Sequence, residues 1–298
     1  MFNGKRIPII LSAVCFLAAL GIMLYPAVSN YVNEKYRSEI HTAYEEVIQQ
    51  SDTKRLLEIR EQAVAYNQAI TPGNGFTQEA VQAASEDYFT QLNPGGNGIM
   101  GYVEIPKIDT YLPIYHGTEP DTLERGTGHL IGSSLPIGGE STHSVITGHS
   151  GLASQKMFTD LEQLQEGDVF YLHILGEVLA YQIFDTEPVL PHDTSRLTIS
   201  QGEDFCTLIT CYPTGINTHR LLVQGTRIPY EAAQEAQEEI EQTGESQTSN
   251  WEEQYLQGIL WGILAALIAA LVAVLIILYR RKHPKRKRRK GGRYAKKG

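Results

Sequence analysis

The sequence predicts a mainly β domain, a closed barrel or a sandwich, that follows a helical region and lies between two membrane-spanning helices. Three observations support this fold class. Short alternating apolar runs fill the region after Gly98, and apolar residues recur at helical spacing before it. In addition, an uncharged apolar run stands near each end of the chain.

The two apolar runs predict the topology. Ile7 to Val28 is uncharged and would measure about 33 Å as a helix, and Gly258 to Tyr279 is equally long and precedes a basic tail. Lys and Arg beside a span stay cytoplasmic, so both termini are expected inside and residues 30–257 outside. A cleaved signal peptide is the alternative for the first run, but its apolar part is long for one.

Charge is distributed unevenly along the chain. The formal net charge is −9, yet residues 30–257 hold all 34 acidic residues and only 11 basic ones. Such an acidic region argues against nucleic-acid binding, and its periodic apolar residues exclude an intrinsically disordered chain. The basic tail, residues 280–298, is interpreted as an orientation signal or a contact with anionic lipids.

The predicted organisation follows from these patterns. Helical spacing predicts two helices before the turn cluster that begins at Thr71, and a third, short helix near residues 79–88. Seven short strands are expected after Gly98: residues 101–105, 111–114, 144–147, 169–174, 178–190, 205–211 and 221–228. The full division is a membrane anchor (1–29), a helical region with a possible lid loop (30–98), a barrel (99–230), an acidic linker (231–257), a second span (258–279) and a cytoplasmic tail (280–298).

Two cysteines fall in one predicted strand. Cys206 and Cys211 are an odd number of residues apart, so the pleat sends them to opposite faces and a disulfide would need a bulge. A free thiol at a strand end, Cys211, is a candidate nucleophile, and the alternative is a buried structural cysteine.

A cysteine nucleophile needs a partner that exchanges protons, for which histidine is suited. His149 follows an apolar run and stands in a Gly-His-Ser-Gly sequence, although composition alone does not choose among the eight histidines of the acidic region. His143 and His149 as metal ligands lack a Cys or carboxylate at ligand spacing, so no metal or cofactor is predicted.

Arg220 begins the last strand, and a hairpin would bring it near Cys211 as an oxyanion donor. An ordinary surface ion pair is the alternative for this arginine.

Three segments together resemble the signature segments of sortases, the cysteine transpeptidases of the Gram-positive cell surface. They are Thr-Leu-Ile-Thr-Cys at 207–211, Thr-Gly-His at 147–149 and Asn-Thr-His-Arg-Leu-Leu-Val at 217–223. Residues 100–108, 112–117 and 148–152 resemble the pilus-assembling class C branch in particular. The similarity covers residues 98–230 closely and the flanks by layout only.

The resemblance implies an eight-stranded sortase β-barrel without a cofactor, in which Cys211 is the nucleophile, His149 the acid and base, and Arg220 the stabiliser of substrate and oxyanion. It implies an LPXTG-like sorting signal of a pilin as substrate, and a lysine amine of a neighbouring pilin as acceptor. Class C enzymes typically carry a lid held by an Asp-Pro-aromatic motif. No Asp-Pro occurs between Thr71 and Gly98, so Cys211 is expected to be reachable at rest.

Three other functions are alternatives to a pilus-assembling sortase. A housekeeping-type sortase would anchor proteins to the cell wall. A cell-wall-anchored surface protein without catalysis would need an LPXTG-type motif before the second apolar run, and residues 249–255 contain none. A papain-like hydrolase would have its cysteine before its histidine, whereas here His149 comes first.

The charge pattern predicts that both termini are cytoplasmic, because basic residues flank both apolar runs on the same side. Reporter fusions at each terminus, one active only inside the cell and one only outside, measure this directly. An extracellular C-terminus would refute the two-span topology.

Overall fold

Eight strands close into a barrel in the computed structural model, and the mainly β prediction is confirmed. In chain order they are β1 (Ile99–Ile105), β2 (Thr110–His116), β3 (Thr127–His129), β4 (Thr142–Thr147), β5 (Val169–Ile174), β6 (Glu177–Val189), β7 (Asp204–Tyr212) and β8 (His219–Ile228). Around the barrel they follow the order β1-β2-β3-β4-β7-β8-β6-β5. The pairings β2–β3 and β4–β7 are parallel, and the other six are antiparallel.

The structure describes residues 7–70, 87–152, 155–243, 258 and 261–262. The chain divides into two compact units, Met1–Ser249 and Asn250–Gly298. The barrel and its helices belong to the first unit, and the three described residues of the second unit are helical.

The strands form where β-branched and aromatic residues predict them, with one exception. Strand β3 is only three residues long, and its sequence Thr-Gly-His has neither apolar alternation nor strong β propensity. It is a strand because β2 and β4 hydrogen-bond to it on both sides. A 3-10 helix, Thr159–Gln163, lies in the connection between β4 and β5.

Two long N-terminal helices are present, as predicted, and both contact the barrel: α1 (Ile7–Gln50) and α2 (Thr53–Ala69). The hydroxyl of Tyr44 on α1 donates to the carbonyl of Met100 and accepts from the amide of Leu175, at 3.0 and 3.1 Å. Asn67 on α2 bonds both backbone groups of Leu135, at 2.7 and 3.1 Å. These buried side chains fix the orientation of both helices on the barrel, because each satisfies backbone groups that would otherwise lack partners.

Two further helices are present. One is a single turn, α3 (Pro120–Leu123), between β2 and β3. The other, α4 (Tyr230–Thr243), follows β8 directly and forms the beginning of the predicted acidic linker. Ala233 is fully buried against β5 and β6, and the hydroxyl of Tyr171 donates to Gln237 at 3.1 Å. The first part of this segment is therefore docked on the barrel.

The structure describes the first predicted span but only a small part of the second. Residues 7–28 are helical as the first half of α1. Within the residues that the structure describes, no helix is identified that has the length and apolar character needed to cross a membrane. Most of the second predicted span, residues 258–279, lies outside the described residues.

A buried tyrosine, Tyr88, attaches the chain before β1 to the barrel. Tyr88 has no exposed surface; its hydroxyl lies 3.0 Å from Nδ1 of His129 and accepts from the amide of Gly117 at 2.9 Å. His129 is also fully buried, and its Nε2 lies 2.8 Å from the carbonyl oxygen of Ser134. Burial lowers the pKa of His129 from 6.5 to about 4, so the imidazole is neutral in the folded protein at pH 7.

We expect the fold to lose stability in acid. Between pH 6.5 and 4 the unfolded chain binds a proton at residue 129 that the folded chain excludes, so the contribution is fully present above pH 6.5. This contribution of His129 to the free energy of unfolding falls by about 3 kcal/mol as the pH drops to 4. Thermal unfolding midpoints from pH 7 to pH 4 measure the effect. Burial also lowers the pKa of His116 and His143, so both add to the loss of stability in acid.

The variant His129→Gln should show a shallower pH dependence than the natural chain. The matched control is His192→Gln, because His192 is exposed and its replacement should leave the pH dependence unchanged. An equal pH dependence in the His129 variant would contradict the assignment.

Candidate active site

The three predicted site residues lie at one end of three adjacent strands, β4, β7 and β8. Cys211 on β7 is paired in register with Arg220 on β8. On the other side of β7, Thr147 is paired with Ile209, so the chain that follows β4 runs beside the end of β7 and carries His149 toward Cys211. The structure thus brings together residues that are 62 and nine positions apart in the sequence.

The loop after β4 is tightly packed around Gly148. Its amide extends the β4–β7 pairing by donating to the carbonyl of Ile209 at 3.0 Å. A Cβ at this position would lie 2.8 Å from the ring of Phe158, which is fully buried. Only glycine lets the loop approach that ring so closely.

The two cysteines of the barrel differ sharply in their surroundings, and both are free. Cys206 has no exposed surface and belongs to the barrel core. Burial raises the pKa of its thiol well above the usual range, and the nearby carboxylate of Asp204 adds to the rise. Cys211 lies at the end of the same strand and is half-buried. Of the two thiols, only that of Cys211 can meet a substrate.

Arg220 is half-buried beside Cys211, and its contacts are with backbone oxygens. Nη1 donates to the carbonyl of His219 at 2.9 Å and to that of Asn217 at 3.4 Å. None of the ion pairs found among the described residues includes Arg220. The surface ion pair that the sequence left open is therefore absent from the described part of the chain, and the guanidinium can act on a bound carbonyl.

Several other histidines of the barrel have structural partners. His143 lies within 3.0 Å of the carbonyl oxygen of Thr198 and within 2.7 Å of the hydroxyl of Thr207. The two ring nitrogens of His116 lie 2.9 and 2.6 Å from the carbonyl oxygens of Gly98 and Gln91, and His173 pairs with Glu104. His143 therefore serves the β4–β7 packing.

A thiol, an imidazole and a guanidinium at one end of a barrel can together carry out acyl transfer. The thiol supplies the nucleophile, the imidazole exchanges protons, and the guanidinium donates hydrogen bonds to a developing oxyanion. The sequence predicts these three groups but not the roles of Ser150 and Thr210, whose hydroxyls bond backbone carbonyls of the same strand ends. No signal in the sequence identifies such contacts, because they depend on the β4–β7 register.

Known proteins of one family are similar to this chain. A family profile described as the sortase domain matches residues 103–228. The solved structure of sortase C1 from Streptococcus agalactiae is 41% identical, with coverage of 64% of this chain and 98% of that one and a TM-score of 0.59. Sortase C from Streptococcus pneumoniae is 43% identical, with coverage of 64% and 97% and a TM-score of 0.59. The chain belongs to the sortase family.

Sortases are cysteine transpeptidases, and curated members of the family are also similar to this chain. Sortase D of Bacillus subtilis is 34% identical over 131 residues, which are 43% of this chain and 63% of that protein. The chain therefore spans less than two thirds of the length of this curated relative.

The possible lid of this sortase can be described only at its C-terminal end. Residues 71–86 lie outside the described residues. The rest of the predicted segment packs into the fold, with Tyr88 and Leu92 fully buried, while Phe89 is 56% exposed. Tyr88 is therefore a core residue. The expectation that Cys211 is reachable at rest stays a prediction.

Cys211 should react with a thiol reagent in the folded protein, whereas Cys206 should not. The reactive species is the thiolate, and burial both shields Cys206 and keeps its thiol protonated. Brief treatment of the full-length chain with iodoacetamide, followed by peptide mapping by mass spectrometry, measures this. Modification of Cys206 at a rate equal to that of Cys211 before unfolding would contradict the assignment, and Cys211→Ala is the control.

Proposed function

We propose that this chain is a sortase transpeptidase with Cys211 as nucleophile, His149 as general acid and base, and Arg220 as the donor that stabilises substrate and oxyanion. The observation that carries the proposal is the register of adjacent strands: Cys211 is paired with Arg220, and the His149 loop is bonded to the end of β7. Membership of the sortase family supports the same roles.

In the first half of the reaction, Sγ of Cys211 attacks the threonine carbonyl carbon of an LPXTG-like sorting signal. The new C–S bond places negative charge on the carbonyl oxygen, which Arg220 stabilises by hydrogen bonding. The proton that the Cys211 thiol gives up is held by His149, which then delivers it to the amide nitrogen that follows the threonine. The C–N bond breaks, the C-terminal segment leaves as an amine, and a thioester remains on Cys211.

In the second half, the uncharged lysine amine of a second protein attacks the thioester carbonyl. His149 takes the proton that the amine loses and passes it to Sγ as the C–S bond breaks, so the thiol of Cys211 is restored and an isopeptide bond is the product. A thioester suits this exchange because it keeps the acyl group reactive, and exclusion of water favours the amine over hydrolysis.

The proposed substrate is a pilin, and the proposed product is a covalent pilus. The class C similarity supports this choice, because the solved sortase C of Streptococcus pneumoniae is described in terms of pilin substrate specificity. Cell-wall anchoring by a housekeeping-type sortase remains the alternative, and the two functions differ in the acceptor amine. Co-expression with a pilin bearing an LPXTG-like signal distinguishes them, since only pilus assembly yields a ladder of pilin oligomers.

We propose that the enzyme acts at the outer face of the cell membrane, with both termini cytoplasmic. Two features support this location: the apolar runs at residues 7–28 and 258–279, and the basic residues that flank both on the same side. Secreted substrates that carry a sorting signal would emerge from the same membrane and meet the site there.

Substitution of each site residue should reduce pilin polymerisation to a different extent. Cys211→Ala should abolish it, and His149→Ala should lower it at least about 100-fold, because proton transfer is lost. Arg220→Ala should cost about 100-fold, and Arg220→Lys should keep part of the activity, because lysine lacks the planar donor fork. Oligomer ladders on denaturing gels and transfer of an LPXTG peptide to a lysine peptide provide the measurements.

The matched control is Cys206→Ala, which removes a buried thiol from the core of the same strand and should retain activity. A dead Cys206 variant together with an active Cys211 variant would show that the nucleophile has been wrongly assigned.

A further inference from the structure

Two hydroxyl groups fasten the His149 loop to the end of β7. The hydroxyl of Thr210 donates to the carbonyl of Gly148 at 2.8 Å, and the hydroxyl of Ser150 donates to the carbonyl of Cys211 at 2.7 Å. The first contact reaches the residue before His149, and the second starts from the residue after it. We call this pair of contacts the hydroxyl clamp.

The clamp begins where the strand ladder ends. Strands β4 and β7 are paired in six consecutive registers, from Thr142 with Asp204 to Thr147 with Ile209. The amide of Gly148 adds one more backbone bond. Beyond that point no backbone pairing of β4 with β7 is found among the described residues, and the two hydroxyl contacts join the loop to the end of β7.

Burial makes the Thr210 contact costly to lose. Thr210 is 3% exposed, and Gly148 is buried beneath Phe158. Without the Thr210 hydroxyl, the buried carbonyl of Gly148 loses its hydrogen-bond donor in a site that water enters poorly. A shift of the loop that exposes this carbonyl to water then becomes less costly. The Ser150 contact is half-buried and is the more exposed part of the clamp.

A third contact holds the loop from its other side. The amide of Phe158 donates to the carbonyl of His149 at 2.9 Å. The backbone at residues 148–150 is thus bonded to β7 on one side and to Phe158 on the other. With the backbone fixed in this way, the imidazole can change position only by rotation about its two side-chain torsions.

We propose that Ser150 and Thr210 are positioning residues, which hold the imidazole of His149 beside Cys211 through the loop backbone. This inference rests on the proposed function of His149 as acid and base. Its physical basis is that proton transfer depends on geometry, and a displacement of about 1 Å can cost up to about 100-fold in rate. Neither hydroxyl takes part in the bond-making steps.

The first experiment separates rate from binding in the full-length chain. Ser150→Ala and Thr210→Val should each lower kcat for LPXTG peptide transfer about 10- to 100-fold and change KM less than about twofold. The conservative variants Ser150→Thr and Thr210→Ser retain a hydroxyl and should recover most of kcat. If Ser150→Ala and Thr210→Val both keep kcat within twofold, the proposal is wrong.

A matched control is available on another strand. The hydroxyl of Thr127 is also fully buried and donates to a backbone carbonyl, that of Pro113, at 2.9 Å. Thr127→Val should lower the unfolding midpoint as Thr210→Val does, yet leave kcat unchanged. An equal loss of kcat in the Thr127 variant would mean that general destabilisation, not positioning, reduces the rate. Ser150→Ala removes only a half-buried group, so it tests the proposal even if Thr210→Val fails to fold.

The second experiment asks whether the clamp acts through His149. Thr210→Val and Ser150→Ala should slow the alkylation of Cys211 by iodoacetamide severalfold at pH 7, and should have no effect in a His149→Ala background. Equal slowing in both backgrounds would overturn the positioning role. If His149→Ala itself changes neither transfer nor alkylation, the proposed function fails. If His149→Ala is impaired while both clamp variants are normal, only the clamp proposal fails.

Discussion

The parallel pairing of β4 with β7 is the constraint on which the site depends. Parallel neighbours must be joined by a long crossover, and here the crossover contains β5 and β6. Because the two strands run in the same direction, both carboxyl ends meet at one end of the barrel. His149 and Cys211 therefore become neighbours, and the tight antiparallel pairing of β7 with β8 adds Arg220 from the other side. No single segment of the chain could provide this set of groups.

The rest of the fold stabilises this arrangement from outside. Closure of the barrel removes the exposed edges that an open sheet would have, and the N-terminal helices satisfy buried backbone groups of β1, of the β5–β6 turn and of the chain after β3. Tyr88 extends the same principle to the chain before β1. Among the described residues, Cys211 and Arg220 are half-buried at their strand ends and belong to none of the buried core clusters.

Sequence analysis predicted most strands because each is long enough to show its own pattern. It predicted the separation of the two cysteines, since the pleat alone decides it. Strand β3 escaped prediction because its pairing is imposed by its neighbours. Glu and Gln dominate residues 230–243, so their composition predicts a linker, although the burial of Ala233 docks this helix on the barrel. Among the histidines, His149 was chosen through family resemblance, since a register between strands 62 residues apart is not encoded locally.

Burial divides the histidines into groups with different uses. His129 and His143 lie inside the barrel wall, where burial lowers the pKa of each and neutral rings bond to hydroxyls and carbonyls. Such a ring cannot exchange protons with a substrate without the cost of a buried charge. His149 lies at the rim, half-buried, on a loop whose backbone is bonded on two sides. In its proposed role His149 takes up and releases protons, so it needs access to substrate while its geometry must still be defined. A rim loop anchored through its backbone meets both demands, because the hydrogen bonds that hold it do not use the imidazole.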